Sequence, residues 1–301
     1  MKYTMLNNGI KMPLLGFGVY MMTDSKECET SVLQALETGY RLLDTSSAYF
    51  NEEAVGRAIK ESDIPREELF VTTKLWIQDA GYENAKAGFE TSLQKLGLDY
   101  LDLYLIHQPC GDCYGSWRAM TELYQEGRIR AIGVCNFGSD RLVDFIMNNE
   151  LPPAVNQVEF HPYYQQKAAE KIMREYDVQM EAWSPLGHGG KGILENETLI
   201  SIGKKYGKTP AQVILRWDVA VTEGVCIYCN HCLPCPVGIN IGDVNKYYDL
   251  AKTGDVLARE HYFALSRLAS DCNECGDCEP RCPFHVKVRN RMKEIAAFMG
   301  K

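Results

Sequence analysis

Six short apolar runs, each followed by a stretch of helical character, constrain this chain more than any other feature of its sequence. The runs are YRLLDTS, LFVTTKLW, LDLYLIH, IRAIGVCN, PAVNQVEF and VQMEAWSPL. They are nearly continuous in apolar residues, as strands covered on both faces are. Between them lie amphipathic segments such as CETSVLQALETG, YENAKAGFETSLQKLG and SWRAMTELYQEG, and glycine, a common helix stop, ends them. Strand and helix in alternation predict parallel strands with helices outside. The rival architecture is a doubly wound open sheet, but no GxGxxG turn follows the first strand. The expected class is therefore α/β, a TIM-type (β/α)8-like barrel.

Polar residues fall at the C-terminal ends of successive runs: Asp44, Lys74, His107, Asn136 and Gln157. That is the end at which such barrels keep their active sites. Asp44, Tyr49, Lys74 and His107 form a chemically specific set. A tyrosine normally keeps its proton to about pH 10. A nearby lysine ammonium is expected to favour the phenolate and lower that value. Asp44 would pair with Lys74 and hold it. Such a tyrosine can protonate a carbonyl oxygen as a hydride reaches the carbon, with His107 orienting that oxygen. The plainer reading of any one of these residues is a strand cap or surface ion pair, but four at successive strand ends favour the chemical one.

The motifs GFGVY, RLLDTSSAYFNEEAVGRAI, VTTKLW, LDLYLIHQP, RIRAIGVCNF, NQVEFHPY and SPLG resemble the aldo-keto reductase family, from residue 1 to TPAQVILRW at about residue 217. The resemblance implies a (β/α)8 barrel and NADPH-dependent reduction of aldehydes and ketones. It implies a catalytic tetrad of Asp44, Tyr49, Lys74 and His107. It also implies nicotinamide contacts at Asn136 and Gln157, a stacking ring at Trp183, further cofactor contacts at Ser184 and Leu186, and a substrate pocket lined by Trp76. A small carbonyl compound is the expected substrate. Cys135 stands where the family usually has serine.

Twelve cysteines are unevenly spread: Cys28, Cys110, Cys113 and Cys135 are scattered, and eight lie between Cys226 and Cys282. Cys110 and Cys113 read as loop thiols, and His161 and His188 as structural residues. The stretch CNECGDCEPRCP is C-x2-C-x2-C-x3-C-P, the bacterial ferredoxin run whose fourth cysteine serves the other cluster. An earlier run, CIYCNHCLPCP, is one residue shorter before its last cysteine. Two [4Fe-4S] clusters are expected. Cys226, Cys229, Cys232 and Cys282 would hold one, and Cys272, Cys275, Cys278 and Cys235 the other. Zinc is the other reading of a cysteine cluster, and the tandem spacing favours iron–sulfur. The insert INIGDVNKYYDLAKTGDVLAREHYFALSRLAS reads as two helices, and the segment resembles a helical two-cluster ferredoxin. The tail VKVRNRMKEIAAFMGK reads as a basic amphipathic helix with a solvated face, or one that docks an acidic carrier protein.

These readings predict a barrel over residues 1–220 and an iron–sulfur domain over 221–301. The junction departs from the family. Aldo-keto reductases grip the cofactor's adenosine phosphate with a segment after strand seven, whereas here RWDVAVTEGV runs straight into Cys226. Strand seven is expected at about residues 219–225, with no eighth, so the barrel is incomplete at strands seven and eight. NADPH delivers two electrons as hydride while a cluster takes them singly, so a flavin or a redox partner protein is expected between them. A second class of function stands beside the enzyme: an iron–sulfur electron carrier or interaction protein whose barrel is catalytically weak. A net charge of −8 argues against nucleic acid or an anionic membrane as partner. No apolar run is long enough to span a membrane and the first residues do not read as a signal peptide, so a cytoplasmic setting is expected.

Overall fold

The computed structural model describes residues 2–189, 192–223, 226, 228, 230, 232–252, 254–282 and 286–300. They form two compact units, Met1–Pro185 and Leu186–Lys301.

The first unit opens with an antiparallel hairpin, β1 (Tyr3–Met5) and β2 (Lys11–Pro13). Seven parallel strands follow: β3 (Gly16–Gly18), β4 (Leu42–Asp44), β5 (Phe70–Leu75), β6 (Leu103–Ile106), β7 (Ile132–Cys135), β8 (Val155–Glu159) and β9 (Gln179–Trp183). Their order in the sheet is their order in the chain, each paired in parallel with the next. Helices α1 (Ser25–Glu37), α2 (Glu52–Glu61), α3 (Tyr82–Leu96), α4 (Cys113–Gln125), α5 (Ser139–Met147) and α6 (Lys167–Glu175) make the crossovers. This is the (β/α) barrel expected, built from seven strands. Among the described residues no eighth strand joins β9 to β3.

Local chemistry accounts for the elements. Every residue of β5, FVTTKL, is buried, and its β-branched residues suit a strand covered on both faces. Asp24 caps α1 by accepting from Glu27 N at 2.8 Å. Gly97 ends α3 in the left-handed conformation at φ 66°. α2 packs tightly on the end of α3: a Cβ at Gly56 would lie 2.4 Å from the Leu96 carbonyl oxygen, so only glycine fits.

The hairpin covers the N-terminal ends of the strands. Leu6 and Met12 join Leu42, Phe70, Leu103, Leu105 and Val155 in one buried cluster. Thr4 Oγ1 donates to Gln179 Oε1 at 2.9 Å, at the start of β9. The opposite, C-terminal end is left for chemistry.

The second unit contains α7 (Glu197–Tyr206), α8 (Pro210–Glu223), α9 (Ile241–Lys252), α10 (Ala258–Phe263) and α11 (Val288–Met299). Strand seven of the barrel is β9, and residues 219–223, expected to form it, continue α8 instead. The helix is specified locally. Thr209 and Gln212 form a reciprocal cap, Gln212 N donating to Thr209 Oγ1 at 3.2 Å and Thr209 N to Gln212 Oε1 at 3.0 Å, with Pro210 in the first helical position. The insert between the cysteine runs holds α9 and α10, two helices as expected. α11 buries Val288, Met292, Ile295 and Met299 at helical spacing. Its Arg291 reaches α9, pairing with Asp249 Oδ1 at 2.6 Å and donating to Asn245 Oδ1 at 3.1 Å. Among the described residues no helix is long and apolar enough to cross a membrane.

Candidate functional site

The strand ends converge as expected. Asp44 is the last residue of β4, Lys74 lies within β5, and His107 directly follows β6. Tyr49 ends a short 3-10 turn, Ser47–Tyr49, capped by the Ser46 hydroxyl, which accepts from Ala48 N at 3.2 Å. Buried Asn51 staples the loop that follows β3, donating to the carbonyl oxygens of Val19 at 2.9 Å and Met22 at 3.2 Å. That brings the Tyr20 ring to 5.0 Å from the Tyr49 ring.

Fully buried Lys74 donates from Nζ to Asp44 Oδ1 at 2.5 Å and to the Thr45 carbonyl at 3.0 Å. The same Nζ lies 5.2 Å from the centre of the Tyr49 ring. His107 meets the Tyr49 ring edge-on at 5.6 Å and the Trp76 ring at 5.0 Å. The residues expected to contact a nicotinamide join this network. Gln157 Nε2 donates to Asp44 Oδ2 at 2.9 Å, Asn136 Nδ2 to the His107 carbonyl at 3.2 Å, and Trp183 Nε1 to Asn136 Oδ1 at 2.8 Å. Ser184 follows Trp183 with a left-handed backbone, φ 53°. Leu186, also expected to contact the cofactor, begins the second unit.

The electrostatics differ from the sequence expectation at one point. Tyr49 is not a more acidic phenol here, since burial pushes it up to about 12 and outweighs the lowering by Lys74. Asp44, which holds Lys74, adds a smaller upward push of its own. Burial works against the Lys74 ammonium, but Asp44 and Tyr49 overcome it and hold the ammonium charged above its ordinary range. Burial, then the Lys74 charge, push His107 down to about 3, so the imidazole is neutral near pH 7. Its Nδ1 faces Ser46 Oγ at 2.9 Å, a partner that no sequence pattern signalled. Glu181 on β9 was also missed, although the alternation Gln179, Glu181, Trp183 puts all three on one strand face.

In the second unit, Cys235, Cys272, Cys275 and Cys278 line one pocket, the four thiols the spacing had grouped. Apolar Pro236, Ile239, Ile241, Val288 and Met292 form much of the remaining wall, and Arg289 lies at it. All four thiols are free of disulfides. Among the described residues no three His, Cys, Asp or Glu side chains are gathered to hold a lone metal ion. Four thiols can hold either a zinc ion or a cube-shaped iron–sulfur cluster, and the tandem C-x2-C-x2-C spacing favours the cluster. Of the other set, Cys232 and Cys282 are buried and Cys226 half-buried, and Cys229 lies outside the described residues.

Each part matches a family of known proteins. The family model for the aldo/keto reductase family matches residues 15–229, and that for a 4Fe-4S dicluster domain matches 224–286. Glyoxal reductase of Bacillus subtilis (strain 168) is 50% identical over 215 residues, 71% of this chain and 77% of its own length. Methylglyoxal reductase DkgA of Escherichia coli (strain K12) is 45% identical over 217 residues, covering 71% of this chain and 78% of its own. Among solved structures, MGS-M4, an aldo-keto reductase from a Medee basin deep-sea metagenome library, matches with a TM-score of 0.69 and 46% identity over 72% of this chain and 80% of its own. A Bombyx mori aldo-keto reductase in complex with NADP matches with a TM-score of 0.69 and 32% identity over 73% of this chain and 81% of its own. The chain belongs to the aldo/keto reductase family, as an oxidoreductase that also carries a 4Fe-4S dicluster domain.

Proposed function

We propose that the protein reduces a small aldehyde or ketone with a nicotinamide cofactor, NADPH, using Tyr49 as the general acid. The observation that carries this is the convergence of Asp44, Tyr49, Lys74 and His107 at the C-terminal strand ends. A bound nicotinamide would supply the hydride. Trp183 would stack on its ring, Asn136 and Gln157 would hold its carboxamide, and Ser184 and Leu186 would add contacts. Trp76 and the Tyr49 ring would wall the carbonyl pocket. The Ser46 hydroxyl, anchored by Ala48 N, donates to His107 Nδ1 in this reading, which leaves the ring proton on Nε2 to orient the carbonyl oxygen. Tyr49 then passes its proton to that oxygen, and the buried Lys74 ammonium, fixed by Asp44, stabilises the phenolate left behind. Two relatives are named as reductases of glyoxal and methylglyoxal, which supports a small reactive carbonyl as substrate.

In the same reading residues 1–220 form the reductase part and 221–301 the cluster part. Cys226, Cys229, Cys232 and Cys282 hold one [4Fe-4S] cluster, and Cys272, Cys275, Cys278 and Cys235 the other. The clusters exchange single electrons with a redox partner protein or a flavin, because hydride chemistry moves electrons in pairs. The far edge of β9, unpaired among the described residues, favours a second reading in which the barrel is a weak catalyst and the protein an electron carrier. Tyr49→Phe separates them. NADPH-dependent carbonyl reduction by the iron-loaded protein should fall by about a hundredfold or more if Tyr49 is the acid. Equal rates in wild type and variant would remove the proposal.

A further inference from the structure

One acidic side chain inside the barrel has no place in the tetrad. Glu181 stands two residues before Trp183 on β9, so the two share a strand face. Its register partner on β8 is Gln157, and the register partner of Gln157 on β7 is Cys135. Cys135, Gln157 and Glu181 thus form one row across three neighbouring strands. Gln157 turns that row toward the tetrad by donating to Asp44 Oδ2 at 2.9 Å. Among the described residues Glu181 Oε2 is buried and has no hydrogen-bond partner, while the Gln157 amide also bonds this carboxyl.

Four groups face this carboxyl from the surrounding strands: Asp44 on β4, Lys74 on β5, Cys135 on β7 and Gln157 on β8. Lys74 is the one cation among them and already holds Asp44. An ionised Glu181 would therefore be a second, desolvated negative charge competing with Asp44 for the same lysine. A neutral carboxyl avoids that cost. Burial, then Asp44, push Glu181 up to about 7 against the lowering by Lys74 and the Gln157 amide.

We propose that Glu181 is a positioning residue of the reductase site: a neutral carboxyl that keeps a single negative charge, that of Asp44, beside Lys74 and Tyr49. This role rests on the reductase reading above. When Glu181 loses its proton, a second negative charge draws on the Lys74 ammonium. Tyr49 then becomes a weaker acid, and reduction slows.

The test uses the full iron-loaded chain and two readouts. Infrared difference spectra from about pH 6 to about pH 9 should show a protonated-carboxyl band that disappears with a midpoint near 7. Glu181→Gln should lack this band, and Glu181→Asp should retain one. The pH profile of kcat for NADPH-dependent carbonyl reduction should fall above the same midpoint, by up to about tenfold per pH unit. Glu181→Gln should lose that limb and Glu181→Asp restore it. A merely structural role would lower kcat by one factor at every pH. Absence of the band in wild type at about pH 6 overturns the proposal whatever the activity, as does a limb unchanged in Glu181→Gln. If the band titrates but wild type reduces no carbonyl, the reductase reading falls and takes the positioning role with it, while the neutral carboxyl stands.

Discussion

Lys74→Met asks how much of the barrel's integrity rests on its one buried cation at the site. The wild-type ammonium is fully buried and donates to Asp44 Oδ1 at 2.5 Å and to the Thr45 carbonyl at 3.0 Å. Methionine is unbranched and adaptable, so packing is largely kept while the charge is lost. Asp44 is left ionised with one side-chain donor, Gln157 Nε2. Removing one partner of a buried pair costs roughly 3–5 kcal/mol. The Asp44 side chain is 15% exposed and keeps the Gln157 bond, which puts the cost near the lower end, about 3 kcal/mol. A unit of this size loses about 2–4 °C of Tm per kcal/mol, so the midpoint should drop by roughly 6–12 °C. Adding Asp44→Asn removes the orphaned charge and should recover at least about 1 kcal/mol, a coupling that additive sites do not show. Urea unfolding followed by tryptophan fluorescence reads mainly this unit, because three of the four tryptophans, Trp76, Trp117 and Trp183, lie in it, and Trp217→Phe as a background removes the fourth. A loss under about 1 kcal/mol, or single variants that add to within about 0.5 kcal/mol, would refute the idea of a desolvated, coupled pair.

The remaining predictions concern acid stability and iron. The folded protein binds a proton at His107 near pH 3 and the unfolded chain near 6.5, so stability present above about 6.5 is lost as pH falls toward 3, at about 1.4 kcal/mol per pH unit. His107→Gln should lack this contribution, and an acid-unfolding curve parallel to wild type would contradict the assignment. Cys275→Ala removes one of the four thiols lining the pocket and should lower reconstituted iron and sulfide by about half, whereas Cys113→Ala, outside both sets, should not. Equal iron in wild type and Cys275→Ala would show that this pocket is not a cluster site.

What the sequence made legible follows from length and spacing. Runs such as LFVTTKLW and LDLYLIH are long and largely apolar, so β5 and β6 are readable, and with them the positions of Lys74 and His107 at strand ends. β3 was not read as a strand, because Gly16–Gly18 offers three residues, two of them glycine, with no period to detect. The hairpin Tyr3–Met5 and Lys11–Pro13 is too short to show alternation. Residues 219–223 were expected in a strand because the run is apolar. The Thr209–Gln212 cap, fourteen helical residues and Pro210 at the first position outweigh that composition. The pocket lined by Cys235, Cys272, Cys275 and Cys278 brings residues of both cysteine runs to one place, which spacing within a single run does not reveal. The upward push on Tyr49 was not, because burial is a property of the whole fold and the sequence showed only the nearby lysine.

The most direct measurement is an anaerobic calorimetric titration of the iron-loaded protein with NADPH. The chain passes from α8 into the cysteine run where the family's phosphate-binding segment is expected, and loss of a charge-assisted phosphate contact costs a few kcal/mol, about tenfold in affinity for each 1.4 kcal/mol. A working nicotinamide site predicts binding with a Kd in the micromolar range, about −8 kcal/mol. No heat of binding up to about millimolar NADPH, weaker than about −4 kcal/mol, would contradict the reductase assignment and leave the clusters as the functional part.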